Sequence, residues 1–310
     1  MIGAAALLAL IPSWLGLLGG WHWFLDLFSH FRWQYLLVSA AVVAWAVWRR
    51  QPRTITLAAL TFLLNALLIG RLAWQAEDGL VAAPDGFALR VLSLNVLTSN
   101  PEKQAVLEHV LAADADVVFL MEVDQQWLSA LAPLHAKYAH RVLHPRADNF
   151  GVALYSRIPF ARGDLLWLGD AGLPSIEVRL KHQGHEFVMI GTHPLPPAGR
   201  NNAAARDRQL ALLAEHVSLL KDPVLVVGDL NATPWSAGMR ITTARGLGFR
   251  AATPPWTPTW RAGSIFAIPI DHVLATAPLV VSQRAVGPDV GSDHRPLEIA
   301  LGWAISTRPR

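Results

Sequence analysis

Apolar residues follow two patterns along the chain. Up to about residue 75 they form long unbroken runs, and beyond it short runs that each end in a polar residue or turn former. The first run extends from Ile2 to Leu25 without an Asp, Glu, Lys or Arg; a second covers Trp33 to Trp48 and a third Thr54 to Gly70. A bilayer-spanning helix needs about 20 mostly apolar residues. The first run has that length, and Arg32 and Arg71 can carry their charges to the headgroups and lengthen the other two by a turn. Trp21, Trp23, Trp33, Trp48 and Trp74, near the run ends, suit an interfacial aromatic belt. The pattern predicts about three transmembrane helices in residues 1–75 (about 2–25, 33–48 and 54–74), a linker at 76–88 and a separate folded domain at 89–305. A signal peptide ahead of buried core helices fits less well, because no basic stretch precedes the first run and two more runs follow.

The second pattern alternates strand and helix. Leu89–Asn95, Asp116–Met121, Val152–Tyr155, Ile176–Leu180, Phe187–Gly191, Val224–Val227, Ile270–Ala275, Leu279–Val286 and Leu297–Leu301 read as strands. Glu102–Leu111 and Gln125–Leu134 read as helices, as does Ala203–Leu220 with Leu210, Leu213 and Val217 at helical spacing. Many strands interleaved with a few helices predict a layered α/β domain.

Composition narrows the class. The 310 residues are 53% hydrophobic and 16% charged, against about a quarter charged in an ordinary soluble protein. The absence of cysteine excludes disulfides, zinc ribbons and thiol catalysis. The sequence pI of 9.6 suggests nucleic acid. The charge is nevertheless spread thinly: residues 1–84 hold five Arg and three acids, and the rest hold 21 basic and 20 acidic residues. An extended basic surface for tracking a phosphate backbone is not evident. Arg49, Arg50 and Arg53 sit together in the link between the second and third runs. The positive-inside rule puts that link in the cytoplasm. With three crossings, everything beyond residue 75 lies outside, which in a bacterium means a multi-pass inner-membrane protein with its remaining domain in the periplasm.

The candidate chemistry lies where polar residues end the strands: Asn95 in VLSLN, Glu122 in VVFLME, His193 in VMIGTH, and Asp229 and Asn231 in VLVVGDLN. Asp271 stands in PIDHVL, and Asp293 and His294 in GSDHRP. Polar groups at one end of several strands converge at a rim, where layered folds place their sites. Glu122, Asp293 and the Asn95 amide are hard oxygen ligands suited to Mg²⁺. Asp229 is a candidate base, and Asn231, two residues on, shares its face of an extended segment. His193 and His294 can donate to an anionic oxygen or protonate a leaving group. A metal, a base and imidazole donors are the parts for water attack on a phosphate ester.

These segments resemble the endonuclease/exonuclease/phosphatase superfamily, which includes pancreatic deoxyribonuclease, apurinic endonuclease and neutral sphingomyelinase. The resemblance rests on SLNV at 93–96, LMEV at 120–123, GVALYSR at 151–157, GTHP at 191–194, GDLNATP at 228–234, IDHVLAT at 270–276 and GSDHRPL at 291–297. It covers residues 89–301, and it is nearest to the membrane-anchored bacterial branch, which also carries apolar helices ahead of the catalytic domain. It implies a four-layer α/β/β/α sandwich and a phosphoester hydrolase using Mg²⁺, or Mn²⁺ in its place. By resemblance, Glu122 holds the metal with Asn95 and Asp293, and Asp229 activates or orients water beside Asn231. His294 contacts the phosphate and is held by Asp271, and His193 is a second phosphate contact or the leaving-group acid. The chain departs from the pattern at Leu97, an Asp in the apurinic endonucleases, and around Asp148-Asn149-Phe150, which offers no Glu to support His193.

Other polar residues read as structural. Asp124 is the better cap for the helix at 125, His272 faces away from Asp271 in a strand, and Arg157 follows a strand. Arg200, Arg206 and Arg208 read as a solvated helix face. Thr259-Trp260, Trp235 and Trp256 either form a hydrophobic lip near the rim or pack over the core. Three readings of the whole remain: a DNA or RNA nuclease, a hydrolase of lipid or lipid-linked phosphoesters, and a non-enzymatic membrane protein that keeps the fold. The expected partners are the phosphoester substrate and the membrane, with no protein partner.

Overall fold

The computed structural model describes residues 6–77, 88–244 and 257–304. Nearly all of the expected linker, and Trp256, lie outside the described residues.

The first apolar run is not one helix as far as Leu25. Its described part is a short apolar helix, Ala6–Leu18, that includes α1 (Ile11–Leu15) and ends in a 3-10 turn. Gly19 and Gly20 follow, residues with low helix propensity. His22 then caps a new short helix, α2 (Trp23–Asp26), through a hydrogen bond from the Phe24 amide to its Nδ1. A 3-10 turn, Leu27–Phe31, leads into α3 (Arg32–Trp48), and α4 (Pro52–Glu77) returns antiparallel to it. Trp23–Trp48 and Pro52–Leu72 are long and apolar enough to cross a membrane. Leu10 packs with Val42 and Ala58, so the first helix lies along the other two. Arg32 is buried where the three meet, donating to the Ser13 carbonyl at 2.7 Å and to Asn65 at 3.5 Å.

The remainder holds two mixed sheets. Sheet A runs in the order β10 (Leu279–Val286), β11 (Leu297–Trp303), β1 (Leu89–Asn95), β2 (Val117–Met121), β4 (Val152–Ser156), β3 (His140–His144). Sheet B runs β5 (Phe160–Trp167), β6 (Pro174–His182), β7 (His185–Gly191), β8 (Val224–Asp229), β9 (Asp271–Ala275). Alternation sorts side chains between two faces. Val91, Phe119, Met189 and Val227 fill the space between the sheets. On the outer face of sheet A, Leu92, Leu94 and Leu120 pack against α5 (Lys103–Ala113) and α6 (Gln125–Ala130). On the outer face of sheet B, Val188 and Val226 pack against α7 (Arg200–Leu219) and Met239 of α8 (Ala237–Ala244). The layers are therefore helix, sheet, sheet, helix. Asp124 caps α6, accepting from the Trp127 amide at 2.7 Å.

Strand direction builds the rim. β1 is parallel to β2 and β7 to β8, so these four strands end on one edge of the sandwich. β4, β9 and β11 run antiparallel to their neighbours β2, β8 and β1, so they begin at that edge. Residues just after the first group and at or just before the second are thereby gathered without any long excursion of chain.

Candidate active site

Asp229 is the hub of the rim. Its backbone amide points across to Met121 Sδ of the other sheet at 3.1 Å, which joins the two sheet edges. Gly228 before it has φ of 143°, and a Cβ there would strike the Thr192 carbonyl, so only glycine lets β7 and β8 close at this point. Asp229 Oδ1 accepts from the Asn231 amide at 2.8 Å. Oδ2 faces Asn95 Nδ2 at 3.3 Å, His193 Nε2 at 3.5 Å and His294 Nε2 at 3.5 Å. His294 Nδ1 lies 2.8 Å from Asp271 Oδ2, and Asp271 is directly opposite Asp229 in the β8–β9 register. Asn95, His193, Asp229, Asp271 and His294 are each no more than 4% exposed.

Electrostatics separates their charge states. Burial opposes ionisation of Asp229, but the adjacent His294 and the His193 hydrogen bond outweigh it and hold the carboxyl down at about 2. Burial likewise opposes protonation of His294, but Asp271 and Asp229 on either side raise it to about 10. The result is an imidazolium held between two carboxylates.

Glu122 is half-buried with φ of 61°, an uncommon conformation for a residue other than glycine. Its Oε1 accepts from Asn95 Nδ2 at 2.9 Å and its Oε2 from the Thr98 amide at 3.2 Å. Asn95 Oδ1 is taken by the Leu97 amide at 3.0 Å, which fixes the orientation of the side-chain amide. Asn95 therefore presents its amide nitrogen to Glu122 and Asp229. Asp293 accepts from Trp260 Nε1 at 2.8 Å. Asn231 donates its side-chain amide to the Pro194 carbonyl at 3.0 Å. His193 rests on the Phe150 ring, with centroids 5.2 Å apart, where the sequence offered no Glu.

All eight expected residues stand at this rim, and Glu122, His193, Asp229, Asn231, Asp293 and His294 line one cavity of about 640 Å³. Asp271 stands behind His294 and Asn95 behind Glu122. Glu122, Asp148, Asp229 and Asp293 line the cavity, the Asp148 carboxylate paired with Arg146, and no Lys or Arg lines it among the described residues. Such a cavity repels a phosphate unless a cation is also bound. Asp229, Asp271 and His294 bring ligand atoms within 4.8 Å of one another. That space already holds the His294 ring, so the carboxylates open to the cavity fit a hard divalent ion better.

The other polar and aromatic residues follow the sequence reading in part. Arg206 is not on a solvated face: it is buried, donating to the Asn231 carbonyl at 2.9 Å and pairing with Asp26 at 3.1 Å. Of the two readings left open for Trp235, packing holds: it packs on Ile69 and Leu72 and donates to the Leu68 carbonyl. Trp260 does line the cavity, and Thr259 is buried, its hydroxyl accepting from the Ile270 and Asp271 amides. Leu27, His30 and Phe31, from before α3, also line the cavity and were not foreseen. Arg157 pairs with Asp114, and His272 meets the Ala232 carbonyl at 2.7 Å, away from the cavity.

A two-sheet α/β sandwich with acidic and imidazole groups at the strand ends defines a known class. Residues 92–294 match the Endonuclease/Exonuclease/phosphatase family, and the chain belongs to that family. It is similar in structure to a humanized D. rerio TDP2, at 16% identity and a TM-score of 0.57 over 69% of this chain and 99% of that one. It is also similar to sphingomyelinase C from Streptomyces griseocarneus, at 21% identity and a TM-score of 0.54 over 70% of this chain and 99% of that one. An endonuclease/exonuclease/phosphatase from Beutenbergia cavernae aligns at 22% identity and a TM-score of 0.58 over 70% of this chain and 72% of that one. No curated protein matches the chain.

Proposed function

We propose that this protein is a membrane-anchored, divalent-metal-dependent phosphoesterase, with Mg²⁺ or Mn²⁺ as the ion. The observation that carries the reading is one cavity bordered by Glu122, Asp229, Asp293, His193 and His294. The reaction adds water to phosphorus, breaks one ester P–O bond and releases the alcohol. Glu122 and Asp293 would hold the ion, which supplies positive charge to the phosphate oxygens. Asn95 holds the Glu122 carboxylate in place and keeps its amide N–H on Asp229. Asp229 stays ionised and accepts a hydrogen bond from the attacking water. A carboxylate held at about 2 is a weak proton acceptor, so its part is orientation. His294, charged and fixed by Asp271, donates to the phosphate as negative charge builds there. His193, whose Nε2 faces Asp229 Oδ2 at 3.5 Å, would give a proton to the leaving ester oxygen and recover one from the attacking water. Asn231 keeps the loop after β8 in register through Pro194.

Residues 89–305 are read as the catalytic domain and 1–75 as the membrane unit. The helices that are long and apolar enough to span support the anchor. A nuclease is the second reading, because another similar structure is D. rerio TDP2 with a single strand DNA product. The near-neutral charge of residues 85–310 weighs against it. Hydrolysis of bis(p-nitrophenyl) phosphate by the detergent-purified full chain tests the proposal. Activity should need Mg²⁺ or Mn²⁺, stop with EDTA, and fall at least about 100-fold in Asp229→Ala and in His294→Ala. Wild-type rates in both folded variants would remove the assignment.

A further inference from the structure

The stretch between the first apolar helix and α3 is fastened to the catalytic rim. Asp26 accepts from Arg206 at 3.1 Å and from the Ala237 amide at 2.8 Å. His30 Nδ1 lies 3.0 Å from Thr233 Oγ1, two residues beyond Asn231. Gln34, the third residue of α3, donates to the carbonyls of Ile265 at 3.2 Å and Ala267 at 2.8 Å. Held this way, Leu27, His30 and Phe31 border the same cavity as Asp229 and His294.

This wall has two properties that hydrolysis of a small hydrophilic ester does not require. Leu27 and Phe31 add apolar surface to a cavity that also carries Phe150, Leu195 and Ile268. His30 is 5% exposed, and its Nε2 has no hydrogen-bond partner among the described residues. A buried polar atom left unpaired is costly unless a bound molecule completes it. The loop that Gln34 grips carries exposed Ile265 and Phe266, and α3 turns exposed apolar side chains outward from Leu37 and Val38 onward. The cavity and the beginning of the apolar helix surface thus adjoin.

Resting on the phosphoesterase reading, we propose that Asp26–Phe31 is a substrate-binding wall and that the substrate is an amphiphilic phosphoester drawn from the bilayer. The phosphate sits at Asp229 and His294, the first carbons of the hydrocarbon chain lie on Leu27 and Phe31, and a polar group beside the phosphate meets His30 Nε2.

The experiment compares methyl and decyl p-nitrophenyl phosphodiesters with the full chain in detergent. Wild-type kcat/KM should favour the decyl ester at least about tenfold, since each buried methylene is worth about a fourfold gain. Phe31→Ser should lower that ratio about tenfold, and the milder Leu27→Ala about threefold in the same direction. His30→Ala should raise KM for the decyl ester more than it lowers kcat. A wild-type ratio near one, or a ratio left unmoved by both wall variants, would overturn the proposal, as would an oligonucleotide cleaved with a higher kcat/KM than the decyl ester. Failure of the phosphoesterase reading looks different, because neither ester then releases p-nitrophenolate. A photoreactive phosphatidic acid in nanodiscs covers that case without turnover: labelling of residues 27–31 supports the wall, and labelling confined to α3 and α4 overturns it.

Discussion

Asp26 and Arg206, 180 residues apart in sequence, form a buried ion pair at 3.1 Å. Arg206 also donates to the Asn231 carbonyl at 2.9 Å, so one guanidinium ties the turn before α3 to the loop that follows Asp229. Removing one partner of a buried pair leaves the other charge unsolvated, at a cost of about 3–5 kcal/mol. Asp26→Asn and Arg206→Met should each lower the thermal midpoint of the purified protein. The double variant should recover part of the loss, because neither charge is then stranded. A loss in the double variant equal to the sum of the two single losses would mean that the pair holds no coupling energy.

Gly228→Ala tests how tightly the rim is built. A Cβ would meet the Thr192 carbonyl, and φ of 143° is strained for any residue with a side chain. Relief requires β8 to move away from the end of β7, which carries Asp229 away from His193. The variant should lose about 2 kcal/mol or more in chemical denaturation and most of its turnover. Wild-type values of both would show that the edge is looser than the contacts indicate.

The central strands were legible because a strand buried on both faces is a continuous apolar run, and its first polar residue marks the rim. Asn95 and Glu122 follow such runs, and Asp229 ends one. The edge strands β3 and β5 were missed because they are partly exposed and carry mixed residues, as in HRVLH. Arg206 was misread by residue type, although its position gave a signal: it lies four residues before Leu210 on the stripe that continues through Leu213 and Val217. Asp26 is likewise a single acid beside a long apolar stretch, and a buried acid needs a partner that only the folded chain brings to it. The break at Gly19-Gly20 was written in the sequence but masked by the apolarity of the run around it.

Membrane orientation is a separate prediction. The two-sheet domain packs through Trp235 on Trp33 of α3 and on Ile69 and Leu72 of α4. These lie at the ends of both helices remote from Arg49, Arg50 and Arg53. If the arginines are cytoplasmic, the domain is periplasmic. A reporter active only in the periplasm should be active when fused after Arg310 and silent when inserted at Gln51. A silent but stably expressed fusion at Arg310 would reverse the assignment.

His272 gives the fold a pH dependence with a defined sign. Burial holds its imidazole down to about 4, aided by Arg284 and only partly opposed by its hydrogen bond to the Ala232 carbonyl and by Asp271 and Asp229. In the unfolded chain the ring titrates near 6.5. Between those values the unfolded state binds a proton that the folded state refuses, so stability falls as pH drops from about 6.5 toward 4, by about 1.4 kcal/mol per pH unit. His294 does not blur this window: its folded value near 10 makes its contribution constant below 6.5 and loses it only as pH rises toward 10. His272→Gln keeps a donor for the Ala232 carbonyl and removes the titration. Urea unfolding from pH 7 to pH 4.5 should therefore show a shallower decline in the variant than in the wild type, with the two curves converging at the acid end. Parallel curves would place the acid sensitivity in other groups.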